Sequence, residues 1–487
     1  MEVEVRILAE CNVDCITVVL LFPTRLIQML HIWVTVLSLL AVTTGLDNGL
    51  GLTPPMGILF RCTVNCDNFP DGCLKWFPLS SSEDLVRSTA DKFAEDGYQD
   101  AGYEYIILGD CVVSKERDTN GKLQPDPNRF PSGFKNLSDY VSDQLSDPMP
   151  IHSKGLKFGM YTNYGTSTCA GYPALIGHME QDIKQFASEW EVDYLKVDNC
   201  NTDYSTDIQG ETRQESGDVI FIAGYTEVGR LLNETGRPVY LQCEWPGNEP
   251  DWSSIPALCN SWRTYIDIVD GYTNLVKIVE YMAENQDTFV PLAGPGHWND
   301  PDVVSCSQES DTESEEDVMT RVGGTDNVSE GDCITCYQPV FGQSQLTVGN
   351  KAMLRSWQQM TLWSVMASPL IMSTKLDELG GGDETMLKNK DVIAVNQDPL
   401  GRMGRRIFWN SSHEVWTRPI SPVVGEQTSY ALVFTFSTPG QDTTVWTTSL
   451  GKYGLDNSAG YVVKVVYSSP RSVSEEFLGL ESEITGS

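Results

Sequence analysis

The stretch Asp193-Tyr-Leu-Lys-Val-Asp-Asn-Cys200 joins an apolar strand to polar residues at its C-terminal end. Side chains alternate between the two faces of a strand, so Tyr194, Lys196 and Asp198 share one face. A buried lysine and aspartate are costly unless they pair with each other or take part in chemistry. The C-terminal ends of parallel strands are also where barrel enzymes carry their catalytic residues. Asp198 is therefore the first candidate for a catalytic carboxylate, and a purely structural Lys-Asp pair is the alternative.

Apolar runs alternate with amphipathic helical stretches from about residue 54 to 376, which predicts repeated β/α units. The predicted strands are Met56 to Phe60, Tyr103 to Asp110, Leu156 to Asn163, Asp193 to Cys200, Pro238 to Trp245, Ser261 to Ile268, Val290 to Gly294 and Ser368 to Ser373. This number of units favours a (β/α)8 TIM barrel. A doubly wound sheet is the less favoured alternative. Such sheets need fewer strands, and no Gly-X-Gly-X-X-Gly turn follows the first strand of this chain.

The chain divides into a large barrel and a smaller domain. We expect the catalytic barrel over residues 46–400 and a shortened antiparallel β-sandwich over 405–487, where short alternating runs such as Tyr430 to Phe436 occur. Residues 29–45 have the apolar centre and small final residues of a signal peptide, which makes 1–28 an expected upstream extension. The pattern is interrupted at 142–150 and by an acidic, serine-rich insertion at 305–345, through true insertion or an imperfect gene model.

Composition narrows the class of protein. A formal charge of -34 over 487 residues disfavours binding to nucleic acid or to anionic membranes. Thirteen cysteines favour an oxidising compartment, and zinc is the weaker explanation because no His-rich partner accompanies them. Asn-X-Ser/Thr sequons, which also favour secretion, begin at Asn136, Asn233, Asn327 and Asn410.

A second carboxylate can face the first across the barrel mouth. Arg263, Tyr265 and Asp267 share one strand face, so Asp267 can point towards Asp198. Two such carboxylates suit glycoside cleavage, with one as nucleophile and the other as acid and base. A metal site would also use carboxylates, but the nearby lysine and arginine disfavour a bound cation, and we expect no metal or cofactor. Further polar residues at predicted strand ends are Asp110, Tyr161, Glu244, Asp300 and Asp302.

These residues resemble glycoside hydrolase family 27, the alpha-galactosidase and alpha-N-acetylgalactosaminidase group. The similarity runs from Leu46 to roughly Lys452, apart from the two interruptions. It is carried by Asp100-Ala-Gly-Tyr-Glu-Tyr, His152-Ser-Lys-Gly-Leu-Lys, Thr168-Cys-Ala-Gly, Asp193 to Cys200, Cys243-Glu-Trp-Pro, Cys259-Asn-Ser-Trp-Arg, Trp298-Asn-Asp-Pro-Asp and Asn396-Gln-Asp-Pro-Leu-Gly.

The resemblance implies retaining hydrolysis of terminal alpha-galactosides of glycolipids, glycoproteins or oligosaccharides, in a lysosomal or secreted homodimer. Asp198 matches the nucleophile and Asp267 the acid/base. The positions that match sugar contacts or the pocket rim are Asp110, Tyr161, Cys169, Lys196, Arg263 and Asp302. The implied disulfides are Cys62 to Cys111, Cys66 to Cys73, Cys169 to Cys200 and Cys243 to Cys259.

Glu244 bears on which sugar the pocket accepts. Family members that accept a 2-acetamido group resemble Cys-Ser-Trp-Pro-Ala at this strand end, and those restricted to galactose resemble Cys-Glu-Trp-Pro-Leu. This chain reads Cys243-Glu-Trp-Pro-Gly247, so galactose is favoured and alpha-N-acetylgalactosaminidase is the alternative.

Two departures from the family pattern leave a third alternative open. The segment after Gly57 lacks the tryptophans that line the family's sugar pocket, and Gly109 replaces one of two adjacent sugar-binding carboxylates. Loss of these groups weakens sugar recognition while leaving Asp198 and Asp267 in place. A sugar-binding protein without turnover is therefore the third hypothesis.

Overall fold

The structure is a computed structural model. It describes residues 4–9, 15–23, 48–60, 81–138, 154–202, 217–244, 251–268, 272–304, 349–379, 381–410, 413–424, 427–436, 444–455 and 461–468. The chain separates into two compact units. One comprises Thr43–Ser356 with Ser368–Asn389, and the other comprises Met1–Val42, Trp357–Ala367 and Lys390–Ser487.

The secondary structure is numbered in chain order. The strands are β1 Glu4–Ala9, β2 Cys15–Pro23, β3 Met56–Phe60, β4 Tyr105–Leu108, β5 Lys157–Asn163, β6 Tyr194–Asp198, β7 Tyr240–Cys243, β8 Ser261–Arg263, β9 Trp298–Asp300, β10 Leu370–Met372, β11 Arg405–Trp409, β12 His413–Val424, β13 Gln427–Phe436, β14 Thr444–Ser449 and β15 Tyr461–Ser468. The α-helices are α1 Glu83–Glu95, α2 Tyr98–Ala101, α3 Gly133–Ser138, α4 Met179–Lys184, α5 Gly217–Glu234, α6 Tyr272–Glu284, α7 Gln286–Leu292, α8 Gly349–Val365, α9 Gly381–Leu387 and α10 Lys390–Asn396.

The larger unit contains an eight-stranded parallel barrel. Strands β3 to β9 pair in chain order, and β10 lies beside β3. A parallel bridge between Val304 and Met372 links the chain after β9 to β10, which closes the ring. The predicted TIM barrel is confirmed, and every carboxyl end of these strands meets at one mouth.

The barrel strands and helices form for local reasons. Strand β4 reads Tyr-Ile-Ile-Leu and is buried along its whole length, as expected for a strand covered on both faces. Helix α1 begins after Ser82, whose side chain accepts a hydrogen bond from the Leu85 amide at 3.3 Å. Val86, Ala90 and Phe93 of the same helix are fully buried, so one apolar stripe faces the core.

The prediction of a seventh strand at Val290 to Gly294 was wrong. Most of that run belongs to helix α7, where the Ala293 amide donates to the Phe289 carbonyl at 3.2 Å. A short apolar run does not distinguish a strand from a buried helical turn, and Phe289 is completely buried here. The seventh barrel strand is β9, Trp298–Asp300. Two of its three residues, Asn299 and Asp300, are polar, so the strand does not form an apolar run in the sequence.

The second unit is antiparallel, as predicted. Its five-stranded sheet has the order β11-β12-β13-β2-β15, and β1 pairs with β14. Strand β2 comes from the expected upstream extension, yet it lies between two strands of this sheet, a position that the sequence analysis did not anticipate. Its side chains Val19 and Leu21 join a core with Val415, Leu432 and Phe434.

Several predicted features lie outside the described residues. They are the signal peptide at 29–45, the interruptions at 142–150 and 305–345, the segment with Cys62, Cys66 and Cys73, and Asn327. Within the described part of the chain, none of the helices combines the length and apolar character required to traverse a bilayer.

Candidate active site

Asp198 lies at the carboxyl end of β6 and is held by neighbours on both sides. Strand register places it opposite Asn163 at the end of β5. Its Oδ2 accepts a hydrogen bond from the Tyr161 hydroxyl at 2.9 Å, and its Oδ1 accepts one from the Asn199 amide at 2.8 Å. The carboxylate is half-buried. It is therefore fixed in orientation and still open to the barrel mouth, as a nucleophile must be.

A disulfide borders the same carboxylate. Cys169 and Cys200 are bonded, and the Cys169 Sγ lies 3.2 Å from the Tyr161 hydroxyl and 3.6 Å from the Asp198 Oδ2. The cluster of Cys169, Asp198 and Cys200 has the spacing of a metal site. Because its two sulfurs are bonded to each other, neither can supply the thiolate that a metal ligand requires.

The three other predicted disulfides have different outcomes. The Cys243 to Cys259 bond is present, as predicted. Cys111 is also disulfide-bonded, and its predicted partner Cys62 lies outside the described residues. The Cys66 to Cys73 prediction falls wholly outside them.

Asp110 follows β4 and fixes the loop that carries the disulfide. Its Oδ2 accepts the Ala170 amide at 2.9 Å and its Oδ1 accepts the Cys111 amide at 2.6 Å. Burial raises the pKa of the Asp110 carboxyl, although these hydrogen bonds act in the opposite direction. Cys111 has a φ of 67°, a left-handed conformation that is uncommon outside glycine. The backbone here is therefore bent sharply to bring Asp110 against the loop after β5.

Lys196, Glu244 and Arg263 form a buried charged cluster under the mouth. The Glu244 Oε2 lies 3.5 Å from the Lys196 Nζ and 3.4 Å from the Arg263 Nη1. All three side chains are nearly inaccessible to water, and Arg263 is completely buried. Charges buried this deeply are stable only in mutual contact, so the three are held as a unit.

The pKa of Glu244 shows the effect of burying this charged cluster. Burial raises the pKa of Glu244 to about 8, while Arg263 and Lys196 oppose the shift and the Asp198 and Asp267 charges add to it. Burial acts to lower the pKa of Lys196, but the charges of Glu244 and Asp198 outweigh it and raise that pKa. Both cations therefore stay charged, and Glu244 is the carboxylate that takes up a proton below about pH 8.

Asp267 is the exposed member of the group. It lies four residues after the end of β8, its side chain is 53% exposed, and its Oδ1 is 2.9 Å from the Arg263 Nη1. Arg263 thus joins Asp267 to the charged cluster, and the Asp198 charge acts on Lys196 and Glu244 of that cluster. Asp198 ends β6 and Asp267 closely follows β8, so both carboxylates lie at the carboxyl ends of barrel strands and therefore at the same mouth.

Asp302 completes the group on the side of β9. The Arg263 Nη2 lies 3.2 Å from the Asp302 Oδ2, and Asp302 is only 3% exposed. The structure therefore places the predicted catalytic and sugar-contact residues in two groups at the barrel mouth. One group surrounds the Cys169 disulfide and the other surrounds the Arg263 guanidinium: Asp110, Tyr161, Cys169 and Asp198, and Lys196, Glu244, Arg263, Asp267 and Asp302.

Two supporting residues were not identified from the sequence. Asn163, fully buried at the end of β5, accepts the Cys200 amide at 2.7 Å and donates to the Ser167 carbonyl at 2.9 Å. Tyr225 of α5 donates its hydroxyl hydrogen bond to the Glu244 carbonyl. Asn163 ends a predicted strand, which is the signal that could have found it. Tyr225 is distant in sequence and offers no such signal.

Comparison with known proteins matches this architecture to one family. The family model described as "Alpha galactosidase A" matches residues 53–320 and 340–398. The chain is 39% identical over 435 residues to chicken alpha-N-acetylgalactosaminidase, covering 87% of this chain and 88% of that protein. It is 34% identical over 435 residues to human alpha-galactosidase A, covering 86% of this chain and 83% of that protein.

A solved structure shares the arrangement. The alpha-galactosidase of Saccharomyces cerevisiae is 26% identical, covers 77% of this chain and 73% of its own, and superposes with a TM-score of 0.55. The similarity therefore extends over both units of the chain rather than over a short motif.

Proposed function

Because this chain belongs to the alpha-galactosidase A family, glycoside hydrolase family 27, we propose that it is a retaining glycosidase that releases terminal, non-reducing α-D-galactose. Membership makes the chain a glycoside hydrolase that acts on glycans. The finer proposal rests mainly on one observation: Asp198 and Asp267 lie at the carboxyl ends of β6 and β8, on the same barrel mouth, and Asp267 is paired with Arg263.

The proposed reaction has two displacements. The Asp198 carboxylate attacks the anomeric carbon and forms a C–O bond as the bond to the leaving oxygen breaks, and Asp267 gives its proton to that oxygen. Asp267, now a carboxylate, then removes a proton from water, and the water oxygen attacks the anomeric carbon. The glycosyl-Asp198 ester breaks, and galactose leaves with its original configuration.

The contacts of the two aspartates suit these different roles. Asp198 must stay ionised to attack, and Lys196 carries a positive charge on the same strand face. The Tyr161 hydroxyl donates to the Asp198 Oδ2, which orients the carboxylate. Asp267 is more than half exposed, which leaves room for a leaving group and then for a water molecule beside it.

Glu244 supports galactose as the substrate. A buried carboxyl group held by two cations fills the end of β7, where a 2-acetamido group would need space. A carboxyl group also offers hydrogen bonds to a 2-hydroxyl, and burying it unpaired against an acetamido methyl would cost about 1–3 kcal/mol. The greater identity to chicken alpha-N-acetylgalactosaminidase favours that activity as the second candidate.

A paired hydrolysis assay tests both candidates. The 4-nitrophenyl α-galactoside and α-N-acetylgalactosaminide are compared between pH 4 and 7, with Asp198→Ala and Asp267→Ala as catalytic variants. We expect hydrolysis of the galactoside, and a loss in kcat of about 10³-fold or more in Asp198→Ala. Asp377→Ala, which removes a 63% exposed aspartate of the same unit, is the matched control and should keep full activity.

Each other outcome excludes one hypothesis. Preference for the acetamido sugar would replace the galactosidase proposal with the second candidate. Binding of both sugars without turnover by the folded protein would favour the binding-only alternative, in which Gly109 and the altered segment after Gly57 have abolished catalysis.

We also propose that the protein is a glycoprotein of the lysosome or the secretory route and that it forms a homodimer. Asn136, Asn233 and Asn410 are exposed at the surface, so an N-linked glycan at each of these sequons would extend into solvent. Mass spectrometry before and after removal of N-glycans, with light scattering for the oligomeric state, tests these expectations.

A further inference from the structure

Asp302 has an unusual backbone conformation, and its carboxylate accepts two backbone amides and pairs with one guanidinium. Its φ is 86°, a left-handed conformation that is strained for an aspartate. The Asp302 amide donates to the Asp300 Oδ1 at 2.8 Å, and the Asp302 Oδ1 accepts the Val303 amide at 2.8 Å. Strain of this kind persists only where surrounding contacts hold it, and it concentrates at functional sites.

The second carboxylate oxygen of Asp302, Oδ2, contacts two residues of the segment that contains Asp267. Oδ2 accepts the Ile268 amide at 2.7 Å and lies 3.2 Å from the Arg263 Nη2. Arg263 precedes Asp267 by four residues, and Ile268 follows it directly. One carboxylate therefore fixes both ends of the short segment, and Arg263 contacts the Asp267 carboxylate from the same cluster.

The accessibility of the two aspartates differs accordingly. Asp302 is 3% exposed, whereas the Asp267 side chain is 53% exposed. A sugar hydroxyl would have to compete with two amides and a guanidinium for the Asp302 oxygens. We propose that Asp302 is a positioning residue for the acid/base Asp267, held through the Ile268 amide and Arg263, and does not bind the sugar. This inference rests on the proposed function, because it assigns Asp267 the acid/base role.

The dependence of rate on the leaving group distinguishes positioning from sugar binding. Cleavage of methyl α-D-galactoside needs protonation of a poor leaving group, whereas 2,4-dinitrophenol leaves with little help. The value of kcat/KM reports cleavage of the glycosidic bond, so a misplaced acid affects the methyl glycoside far more. Loss of a sugar contact affects both substrates equally and also weakens inhibition by free galactose.

The experiment compares Asp302→Asn with Asp267→Ala and the control Asp377→Asn. For Asp302→Asn we expect kcat/KM to fall about tenfold or more on the methyl glycoside and about twofold or less on the dinitrophenyl glycoside, within the range that general acids supply. The galactose inhibition constant should stay within about twofold, because no contact with the sugar has been lost. Thermal melting confirms that each variant is folded. If Asp302→Asn does not fold, Asp302→Glu, which keeps the charge and moves it by one methylene, is measured with the same two readouts.

The outcomes separate this inference from the proposed function. A parallel fall on both substrates with a raised galactose inhibition constant would overturn the positioning role while leaving Asp267 as the acid. A variant with unchanged rates on both substrates would overturn it as well. Absence of any leaving-group dependence in Asp267→Ala would instead refute the proposed acid/base assignment itself.

Discussion

At the scale of single residues, the decisive feature is the burial of several ionisable side chains at the barrel mouth. The single guanidinium of Arg263 contacts three carboxyl groups, those of Glu244, Asp267 and Asp302. Charges packed so densely cannot all remain ionised without water to screen them. Glu244, the carboxyl with the pKa of about 8, takes up a proton, and its protonation state therefore affects the stability of the fold.

The proposed sugar preference depends on the size and polarity of the Glu244 side chain. Glu244→Ser would open space for an acetamido group and remove an acceptor for the 2-hydroxyl. We expect the ratio of kcat/KM for the α-N-acetylgalactosaminide over the galactoside to rise about tenfold or more, since one unpaired polar contact costs about 1–3 kcal/mol.

Glu244→Gln serves as the control for volume in that experiment, because it keeps the shape and, like Glu244 below its pKa of about 8, carries no charge. It should leave the preference for galactose in place. Equal preference ratios in Glu244→Ser and the wild type would show that Glu244 does not govern selection at the 2-position.

Protonation of Glu244 also predicts the pH dependence of stability. The pKa of Glu244 is about 8 in the fold against an ordinary value of 4.5, so the folded state binds this proton more tightly than the unfolded chain. The resulting stability is fully present below about pH 4.5 and is lost as the pH rises through about 8. Lowering the pH from 8 to 5 should therefore raise Tm, by about 2–4 °C for each kcal/mol gained.

Glu244→Gln does not titrate and should show a smaller rise over the same interval. Differential scanning calorimetry of the two proteins in matched buffers gives the comparison. An identical pH dependence in both would mean that the Glu244 proton does not contribute to stability.

At the scale of secondary structure elements, the barrel depends on close approach between neighbouring strands. Gly57 on β3 is packed against β4, where an added Cβ would lie 2.3 Å from the Tyr105 carbonyl oxygen. Backbone atoms cannot move aside as a flexible side chain can, so β3 and β4 would have to separate.

Gly57→Ala should accordingly destabilise the protein by about 1–3 kcal/mol, the usual cost of overpacking. Gly381→Ala is the matched control, because an added Cβ there meets nothing within 4 Å. Thermal unfolding of both variants measures the difference. A Gly57→Ala protein as stable as the Gly381→Ala protein would contradict the strand packing described for β3 and β4.

At the scale of the whole molecule, strand β2 ties the first residues of the chain to the smaller unit. It pairs with β13 along one edge and with β15 along the other, so it is an interior strand of the sheet. Leu21 is completely buried in the core of this unit. If this segment were removed, both β13 and β15 would lose the strand that pairs with them.

Leu21→Asp tests this arrangement, because it buries a charge and removes apolar volume. We expect a loss of at least about 3 kcal/mol in the stability of this unit. Val423→Asp is the control, since Val423 of the same sheet is 47% exposed and should tolerate the charge. If both variants unfold at the same temperature in calorimetry, the Leu21 side chain is not part of this core.

The sequence by itself determined the features that depend on local periodicity. Alternation along β6 placed Lys196 and Asp198 on one face, and polar residues at strand ends predicted the rim, because side-chain direction in a strand follows from the backbone alone. Tertiary structure decided what depends on distant contacts. These are the choice of Trp298–Asp300 over the run near Val290, the insertion of β2, and the contacts of Arg263 with Glu244, Asp267 and Asp302. Strand pairing and the pKa of a buried group are set by atoms remote in sequence, so no local pattern could have specified them.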